Sequence, residues 1–427
     1  MREDLLYHIW KFRKFDSQGL KTTEGEPLQI IHPGFLNENS GPDFFNSRLE
    51  IGGQQWAGNV EIHIKASDWY VHRHECDPAY DNVILHVVWE HDAEIYRKDE
   101  SAIPVMVVKD LIDSTILENY RLLLEKKPQK INCEKEFSGF SDFQIQHWLE
   151  RLYFERLEEK SKAILEVWNR TGNDWEATLF IFLAKTFGLN QNGTAFSDIA
   201  HSLDFKILQK NSGDLLKLEA LLLGQANLID SEDTYALELK KEYEFLKRKY
   251  ALNNEHLAKP QFFRLRPDNF PSIRLAQLAA LYNNKRKLFK DIEITYSKDD
   301  LSNIFELEPS EYWQNHYNFG KPHSTRKKKL TKSFIDLLLI NCIIPVKYAY
   351  NLAGYPQDLE QIQELISSIS AEANAVVDIF NFLKPNIAQN AMESQALVHL
   401  KKRYCDKNGC MRCELGTSLL NKSPKIH

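Results

Sequence analysis

The stretch SGPDFFNSRLEIGGQQWAGNVEIHIKASDW, residues 40–69, decides the fold of the N-terminal part of the chain. Two runs within it, FFNSRLEI and WAGNVEIHIK, flank Gly52-Gly53, and two glycines between strand-like runs are typical of a tight β-hairpin. The second run carries Glu61, His63 and Lys65 at alternate positions. Because side chains alternate along a strand, we expect these three on one face.

Other apolar runs around this hairpin predict further strands. PLQIIH precedes it, and NVILHVVWEH and IPVMVVKD follow it. The near-continuous apolar character of NVILHVVWEH is typical of a central strand. Residues 3–14 show helical spacing of apolar side chains, and the sequence after Asp110 turns helical almost to its end. We therefore predict an α+β fold, with a mixed-sheet domain over residues 1–130 and an all-α region over residues 131–427.

One segment of this all-α region carries clear end signals. DWEATLFIFLAKTFGL opens with Asp174, a residue type that caps helix N-termini, and ends at Gly188. The following NQNGTAF, with Asn190, Asn192 and Gly193, is interpreted as a turn.

The composition is that of a globular protein. Hydrophobic residues make up 43% of the 427 residues and charged residues 27%, and no run approaches ~18 uninterrupted apolar residues, so we expect no membrane span. The N-terminus lacks the apolar core of a signal peptide, and six cysteines are too few for a disulfide framework, which favours a cytoplasmic location. The net charge of −6 argues against coating nucleic acid by bulk electrostatics.

Asp43, directly after Gly-Pro, and Glu61 are candidate ligands of one cation. Hydrolysis of a phosphodiester needs a divalent metal that neutralises developing charge and lowers the pKa of water. Mg²⁺ or Mn²⁺ would take one or two carboxylates. With a strict two-residue loop, Ile51 faces Gln54 and the two acids point to opposite faces of the sheet. The site therefore requires a bulge or bend near Pro42-Asp43 or Gly58-Asn59.

The motifs GPDF at residues 41–44 and EIHIK at residues 61–65 resemble those of the PD-(D/E)XK nuclease superfamily. The resemblance covers about the first quarter of the chain. It implies a core of a helix, a hairpin and a further strand, with Asp43 and Glu61 as metal ligands and catalytic residues. The usual lysine position is His63 here, and Lys65 lies two residues further, so either of these two would activate water or stabilise the phosphate. The whole chain also resembles a bacterial domain family of unknown function.

Four histidines follow or overlap this motif. His86, on the predicted central strand, is a third candidate ligand of the same metal, and His72 and His74 form a His-x-His pair that suits Zn²⁺ or Mn²⁺. In the alternative interpretation these histidines pack a loop or the core, and Asp43 is a turn residue beside a solvated strand face. A cupin-like β-sandwich would also use His-x-His, but too few strands follow.

The cysteines near the C-terminus predict a second metal site. Cys405, Cys410 and Cys413 have the spacing C-x4-C-x2-C, which suits zinc or a [4Fe–4S] cluster with a fourth ligand. Some nucleases of the superfamily named above similarly hold a terminal segment with an iron–sulfur cluster. Without a metal, the three thiols would be small core groups or reactive surface groups. The candidate fourth ligands are Cys342, Cys133, Cys76 and His399.

Basic residues in the helical region are candidates for contacts with phosphate groups. Arg264, Arg266 and Arg274 surround two prolines, where the alternative is an arginine-anchored loop. The run RKKK is alternatively a solvated charge run, and it comprises Arg326, Lys327, Lys328 and Lys329.

These patterns predict a divalent-metal-dependent nuclease that acts on DNA or RNA. Residues 1–112 hold 11 basic against 19 acidic side chains, so a cationic surface must come mainly from the later region. The rival hypothesis is a non-catalytic scaffold for nucleic acid or protein with a degenerate nuclease core. A third is a metal enzyme with a closed pocket for a small anionic substrate.

Overall fold

The computed structural model describes residues 1–37, 39–124 and 130–421 of the chain. The chain divides into two compact units, of which the first comprises Met1–Trp148 together with the segment from Leu400, and the second comprises Leu149–His399. The expected α+β class is confirmed, since a sheet near the N-terminus is followed by a large helical region. The expected boundary at residue 130 took no account of the C-terminal segment, which belongs with the first unit.

The sheet has six strands in the order β1-β3-β4-β5-β6, with β2 paired to β3. β1 and β3 are antiparallel, as are β3 and β4, whereas β4 and β5 are parallel, as are β5 and β6. The strands are β1 Leu28–His32, β2 Phe35–Leu36, β3 Phe44–Ile51, β4 Gln54–Lys65, β5 Val83–Glu90 and β6 Val105–Val107.

The helices follow the apolar periodicity of the sequence. In chain order they are α1 Glu3–Phe12, α2 Asp68–Val71, α3 Ser114–Leu124, α4 Asp142–Arg170, α5 Trp175–Phe187, α6 Leu189–His201, α7 Phe205–Asn211, α8 Leu215–Gln225, α9 Thr234–Tyr250, α10 Pro271–Asn284, α11 Leu288–Glu293, α12 Lys298–Ile304, α13 Lys332–Leu338, α14 Ile344–Leu352, α15 Leu359–Ser367, α16 Ala375–Leu383, α17 Ala391–His399 and α18 Glu414–Leu420. Asp174 caps α5 as expected, accepting hydrogen bonds from the N–H groups of Glu176 and Ala177.

The turn expected at Asn190–Gly193 is wrong, because these residues lie in α6. The Asn192 side chain is buried and bonds to the backbone of Gln261 through its Nδ2 (2.8 Å) and its Oδ1 (2.7 Å). A Cβ on Gly193 would lie 3.1 Å from the Lys185 carbonyl, so the glycine lets α6 approach α5. Tertiary contacts therefore outweigh the local turn preference of this segment.

The second unit is built around helices that are buried on nearly all sides. Every residue of α10 from Pro271 to Tyr282 is buried. Within the described residues, Lys332–Leu352 is apolar and long enough to cross a membrane by composition, but 72% of its apolar window is buried inside the structure. Burial to this extent is typical of a core helix.

In the first unit, the hairpin β3–β4 contains the feature that aligns the candidate site. Gly52 and Gly53 both have positive φ, as a tight hairpin turn requires, and Ile51 pairs with Gln54 as the two-residue loop predicts. Further along, Ser47 pairs with Gly58 but Phe44 pairs with Val60, so β3 contains one extra residue.

Asn46 lies in this bulge, with a left-handed φ of 56°. The required irregularity is therefore present near Gly58-Asn59, one of the two expected places: the extra residue is in β3, where Phe45 and Asn46 together face Asn59. Its effect is to bring Asp43 opposite Glu61.

We expect Asn46→Val to destabilise the protein by about 1–2 kcal/mol, because a β-branched residue is strained in the left-handed region. The midpoint of thermal unfolding measures the change. Asn46→Gly is the matched control, since glycine tolerates positive φ, and it should change the free energy of unfolding much less. Equal midpoints for the two variants would mean that the bulge does not depend on this backbone conformation.

Candidate metal centre

Asp43, directly before β3, lies opposite Glu61 on β4, and each carboxylate accepts a backbone N–H from the other strand's segment. The Asp43 N–H donates to Glu61 Oε2 at 3.0 Å, and the Ile62 N–H donates to Asp43 Oδ2 at 2.9 Å. Glu61 is only 4% exposed. Burial raises the pKa of both carboxyls well above their usual range, and the charge of Glu61 raises that of Asp43 further. Two carboxylates held this close favour the uptake of protons or of a cation.

Histidine side chains surround the free oxygen of Glu61. His63 Nε2 lies 3.4 Å from Glu61 Oε1, and His74 Nε2 lies 3.3 Å from the same oxygen. The His74 nitrogen is buried and makes no hydrogen bond in spite of this short distance. Ring nitrogens of His63, His72 and His74 lie within 4.8 Å of one another. Nitrogen and oxygen atoms that converge this closely can serve together as ligands of one cation.

Local structure sets the positions of these histidines. His63 follows Glu61 by two residues on β4, so both side chains leave the same face of the strand. His72 directly follows the short helix α2 and is exposed, and Arg73 then takes a left-handed φ of 61°. This sharp turn lets His74 fold back, with its ring stacked on Tyr80 at a centroid distance of 3.8 Å.

His86, expected as a metal ligand, lies behind His63. Its Nε2 is 2.8 Å from His63 Nδ1, and it is fully buried on β5. Burial lowers the pKa of His63 to about 2 and that of His86 to about 3, so both rings stay neutral. A neutral imidazole is the form that binds metals, and a hydrogen bond to its second nitrogen orients it. His86 is thus placed to orient the His63 ring. His72 and His74 lie close enough to His63 for their ring nitrogens to share one cation with it.

Two residues of α1 that the sequence analysis did not single out also belong to this cluster. The Tyr7 hydroxyl makes hydrogen bonds with the Asp43 and Glu3 side chains, and the backbone N–H of Ile64 donates to Glu3. Burial and the Asp43 charge raise the pKa of Tyr7, so it keeps its proton and donates. The signal in the sequence is the i, i+4 spacing of Glu3 and Tyr7, which places both on one face of α1.

Lys65 lies at the exposed end of β4. Its backbone N–H donates to Asp68 Oδ2 at 3.0 Å, which fixes the turn into α2. The ammonium group is therefore displayed at the border of the cluster, on the same strand face as Glu61 and His63.

The basic residues expected to bind nucleic acid fall into three groups: side chains that are buried, side chains that pair with acids at the surface, and side chains that remain exposed. Arg274 is 5% exposed, with its guanidinium 3.5 Å from the Phe334 ring centroid, and Lys328 is 3% exposed over Tyr317. These two side chains stabilise the second unit and are not presented to solvent. The surface side chains in the run are paired with acids, as Arg326–Asp268 (3.4 Å), Lys327–Glu308 (3.2 Å) and Lys329–Glu306 (2.8 Å).

Arg264 and Arg266 remain exposed in the second unit. The Arg264 guanidinium lies 5.0 Å from the ring centroid of Phe263, which is 69% exposed. An exposed arginine beside an exposed aromatic ring can contact both phosphates and bases.

The C-terminal cysteines lie in the first unit, as does Cys133. Asn132, next to Cys133, donates a hydrogen bond to Cys410 Sγ at 3.3 Å. The other candidate fourth ligands lie elsewhere. Cys342 is buried in α13–α14 of the second unit, Cys76 is exposed, and His399 contacts Glu155 at 3.2 Å.

The donor set at Asp43 and Glu61 fits a divalent metal ion. Three imidazoles and two carboxylates offer nitrogen and oxygen donors, a mixture that suits Zn²⁺ or Mn²⁺ better than Mg²⁺, which prefers oxygen alone. The raised pKa of the two carboxyls and the unbonded His74 nitrogen are the features that a bound cation would satisfy.

In comparisons with known proteins, one family model matches most of the chain. No curated protein and no solved structure matches the chain. The family model matches residues 3–375, which include the cluster around Glu61 and end before Cys405. The chain therefore belongs to the family described as a protein of unknown function, DUF2851.

Proposed function

We propose that the protein is a divalent-metal-dependent phosphodiesterase that cleaves DNA or RNA. The observation that carries the proposal is the convergence of Asp43, Glu61 and the ring nitrogens of three histidines at one edge of the sheet. The order of elements supports it as well, because α1, the hairpin β3–β4 and the strand β5 follow in the sequence that the resemblance to PD-(D/E)XK nucleases implies.

In this proposal Asp43, Glu61, His63 and His74 hold the cation. A bound divalent metal supplies charge neutralisation at the phosphate and a lowered pKa of water. Zn²⁺ or Mn²⁺ suits these residues better than Mg²⁺.

Three further side chains would orient a ligand, accept a proton and bind phosphate. His86 orients His63 through the bond between their ring nitrogens. His72 Nδ1 lies 3.1 Å from His63 Nε2. Because the lone pair of His63 Nε2 would be taken by the cation, His72 would give up this contact, and its exposed ring would accept a proton from water. Lys65 stands at the border to bind a phosphate oxygen.

Two observations favour a second candidate function, a nucleic-acid-binding or protein-interaction scaffold that does not cleave. The position two residues after Glu61 holds a buried neutral histidine in place of a cation, and the basic run at 326–329 is largely neutralised by acids. Such a protein would bind metal and partner without hydrolysis.

The first test is cleavage of single- and double-stranded DNA and RNA with Mn²⁺, Zn²⁺ or Mg²⁺. We expect Asp43→Asn and Glu61→Gln each to lower the cleavage rate more than about 100-fold. Losing a direct ligand of the metal should lower the rate more than losing a residue that only orients a ligand. Glu50→Gln is the matched control, since Glu50 lies on the same hairpin outside the cluster. Binding of nucleic acid without cleavage under every metal would favour the scaffold instead.

A second prediction concerns stability and pH. Because the pKa values of Asp43 and Glu61 are raised by folding, the metal-free protein loses stability as pH rises through the folded pKa values. Glu61→Gln removes the carboxyl that must lose its buried proton. At about pH 8 the metal-free variant should therefore be more stable than the wild type by about 1 kcal/mol or more, and at about pH 4 the difference should vanish.

Metal should reverse that order. At about 100 times its Kd, Mn²⁺ or Zn²⁺ should stabilise the wild type by about 2.7 kcal/mol and leave Glu61→Gln little changed. Thermal unfolding with the metal and with a chelator measures both effects. A Glu61→Gln variant that is less stable than the wild type without metal, yet equally stabilised by metal, would contradict the proposed ligand role.

The exposed pair Arg264 and Arg266 gives a prediction for substrate binding. The double variant Arg264→Ala/Arg266→Ala should weaken binding of a fluorescent oligonucleotide and reduce the salt slope of the affinity by about 1–2. Arg326→Ala is the control, because its guanidinium is already paired with Asp268. An unchanged salt slope in the double variant would place the nucleic-acid contact elsewhere.

A further inference from the structure

The segment from Cys405 to Cys413 folds into two successive tight turns. Asn408 donates its N–H to the Cys405 carbonyl (3.1 Å) and has a left-handed φ of 52°, and the N–H of Cys413 donates to the Cys410 carbonyl (3.3 Å). The turns keep the three cysteines within one compact segment. Cys410 and Cys413 are buried, and Cys405 is half-buried.

A fourth thiol reaches this segment from a remote part of the first unit. Asn132, next to Cys133, donates one hydrogen bond to Cys410 Sγ (3.3 Å) and one to Asn408 Oδ1 (3.0 Å). The amide therefore fixes the Cys133 segment to both turns. Cys133 is therefore held, through the adjacent Asn132, against the segment that carries the other three cysteines.

The two turns are closely packed, and one sulfur atom already accepts a hydrogen bond. A Cβ on Gly416 would lie 2.3 Å from the Cys410 carbonyl, so only glycine permits this approach. The bond from the Asn132 side chain to Cys410 Sγ places an N–H donor at that sulfur. Donors to sulfur stabilise thiolates and are typical of metal–thiolate centres.

The four thiols are chemically available as ligands. None of the four cysteines forms a disulfide.

We propose that Cys133, Cys405, Cys410 and Cys413 are the four thiolate ligands of one metal centre, either a zinc ion or a [4Fe–4S] cluster. The centre ties the C-terminal segment to the first unit. It acts together with α18, whose Leu420 carbonyl accepts a hydrogen bond from the Asn119 side chain (3.0 Å), and with the Arg2 guanidinium, which donates to the Asn408 carbonyl (3.3 Å). The assignment does not depend on the proposed hydrolysis.

The test is the metal content of the full chain, expressed and purified without air. It uses the Glu61→Gln background, so that metal at the histidine cluster does not contribute. We expect either about one zinc per chain with no visible absorption, or about four iron with acid-labile sulfide and a broad band near ~400 nm. Either result supports the four-thiolate centre, and the absorption and sulfide distinguish the two metals. A chain without zinc or iron overturns the proposal.

Cys133 is tested by substitution in the same background. Cys133→Ser should reduce the metal to less than about a tenth of its content or abolish the ~400 nm band, whereas Cys76→Ser and Cys342→Ser, at cysteines outside the cluster, should retain both. Full metal content in Cys133→Ser overturns the assignment of the fourth ligand.

A measurement on the unaltered cysteines guards against a variant that fails to fold. X-ray absorption of the bound metal should show four sulfur neighbours at about 2.3 Å for zinc, or a sulfur-only iron shell for a cluster. A nitrogen or oxygen atom in that shell in place of the fourth protein sulfur overturns the assignment of Cys133.

Discussion

The reciprocal pairing of Asp43 and Glu61 across the hairpin is the constraint on which the candidate centre depends. Each carboxylate accepts a backbone N–H from the partner strand, so neither can leave without freeing a buried donor. The pairing exists because the extra residue at Asn46 shifts the register by one. Without this bulge, the alternation of side chains would direct Asp43 to the other face of the sheet.

Two carboxylates buried side by side repel each other when both are charged, and the histidines alone do not neutralise this charge. His63 and His86 remain neutral because they are buried, and they therefore supply no positive charge to the two acids. Neutral imidazoles are instead good ligands, and His74 presents a nitrogen without a hydrogen bond. A group that destabilises the metal-free fold is a frequent property of functional sites, where binding a ligand recovers the lost free energy.

The cysteine cluster and the histidine cluster differ in what holds them together. The histidines come from one contiguous part of the chain, residues 63–86, and the pleat of β4, the turn after α2 and the parallel pairing of β4 with β5 gather them. The cysteines come from two remote segments that meet through Asn132, Arg2 and α18. A metal centre at the cysteines would close a very long loop of the chain and so hold two remote segments together. The histidine cluster does not need a metal for this purpose, because its residues come from one part of the chain.

The sequence by itself determined the α+β class, the strands around Gly52-Gly53 and the helix that begins after Asp174, because these follow from local periodicity and capping. It also identified Asp43 and Glu61 as a pair that needs a bulge. Only the tertiary structure decided where the bulge lies, since an asparagine tolerates left-handed φ at many positions. Tertiary structure likewise recruited Glu3, Tyr7 and Cys133 and buried Arg274 and Lys328. The physical reason is that these choices depend on contacts between residues far apart in the chain, and single-sequence periodicity carries no information about such contacts.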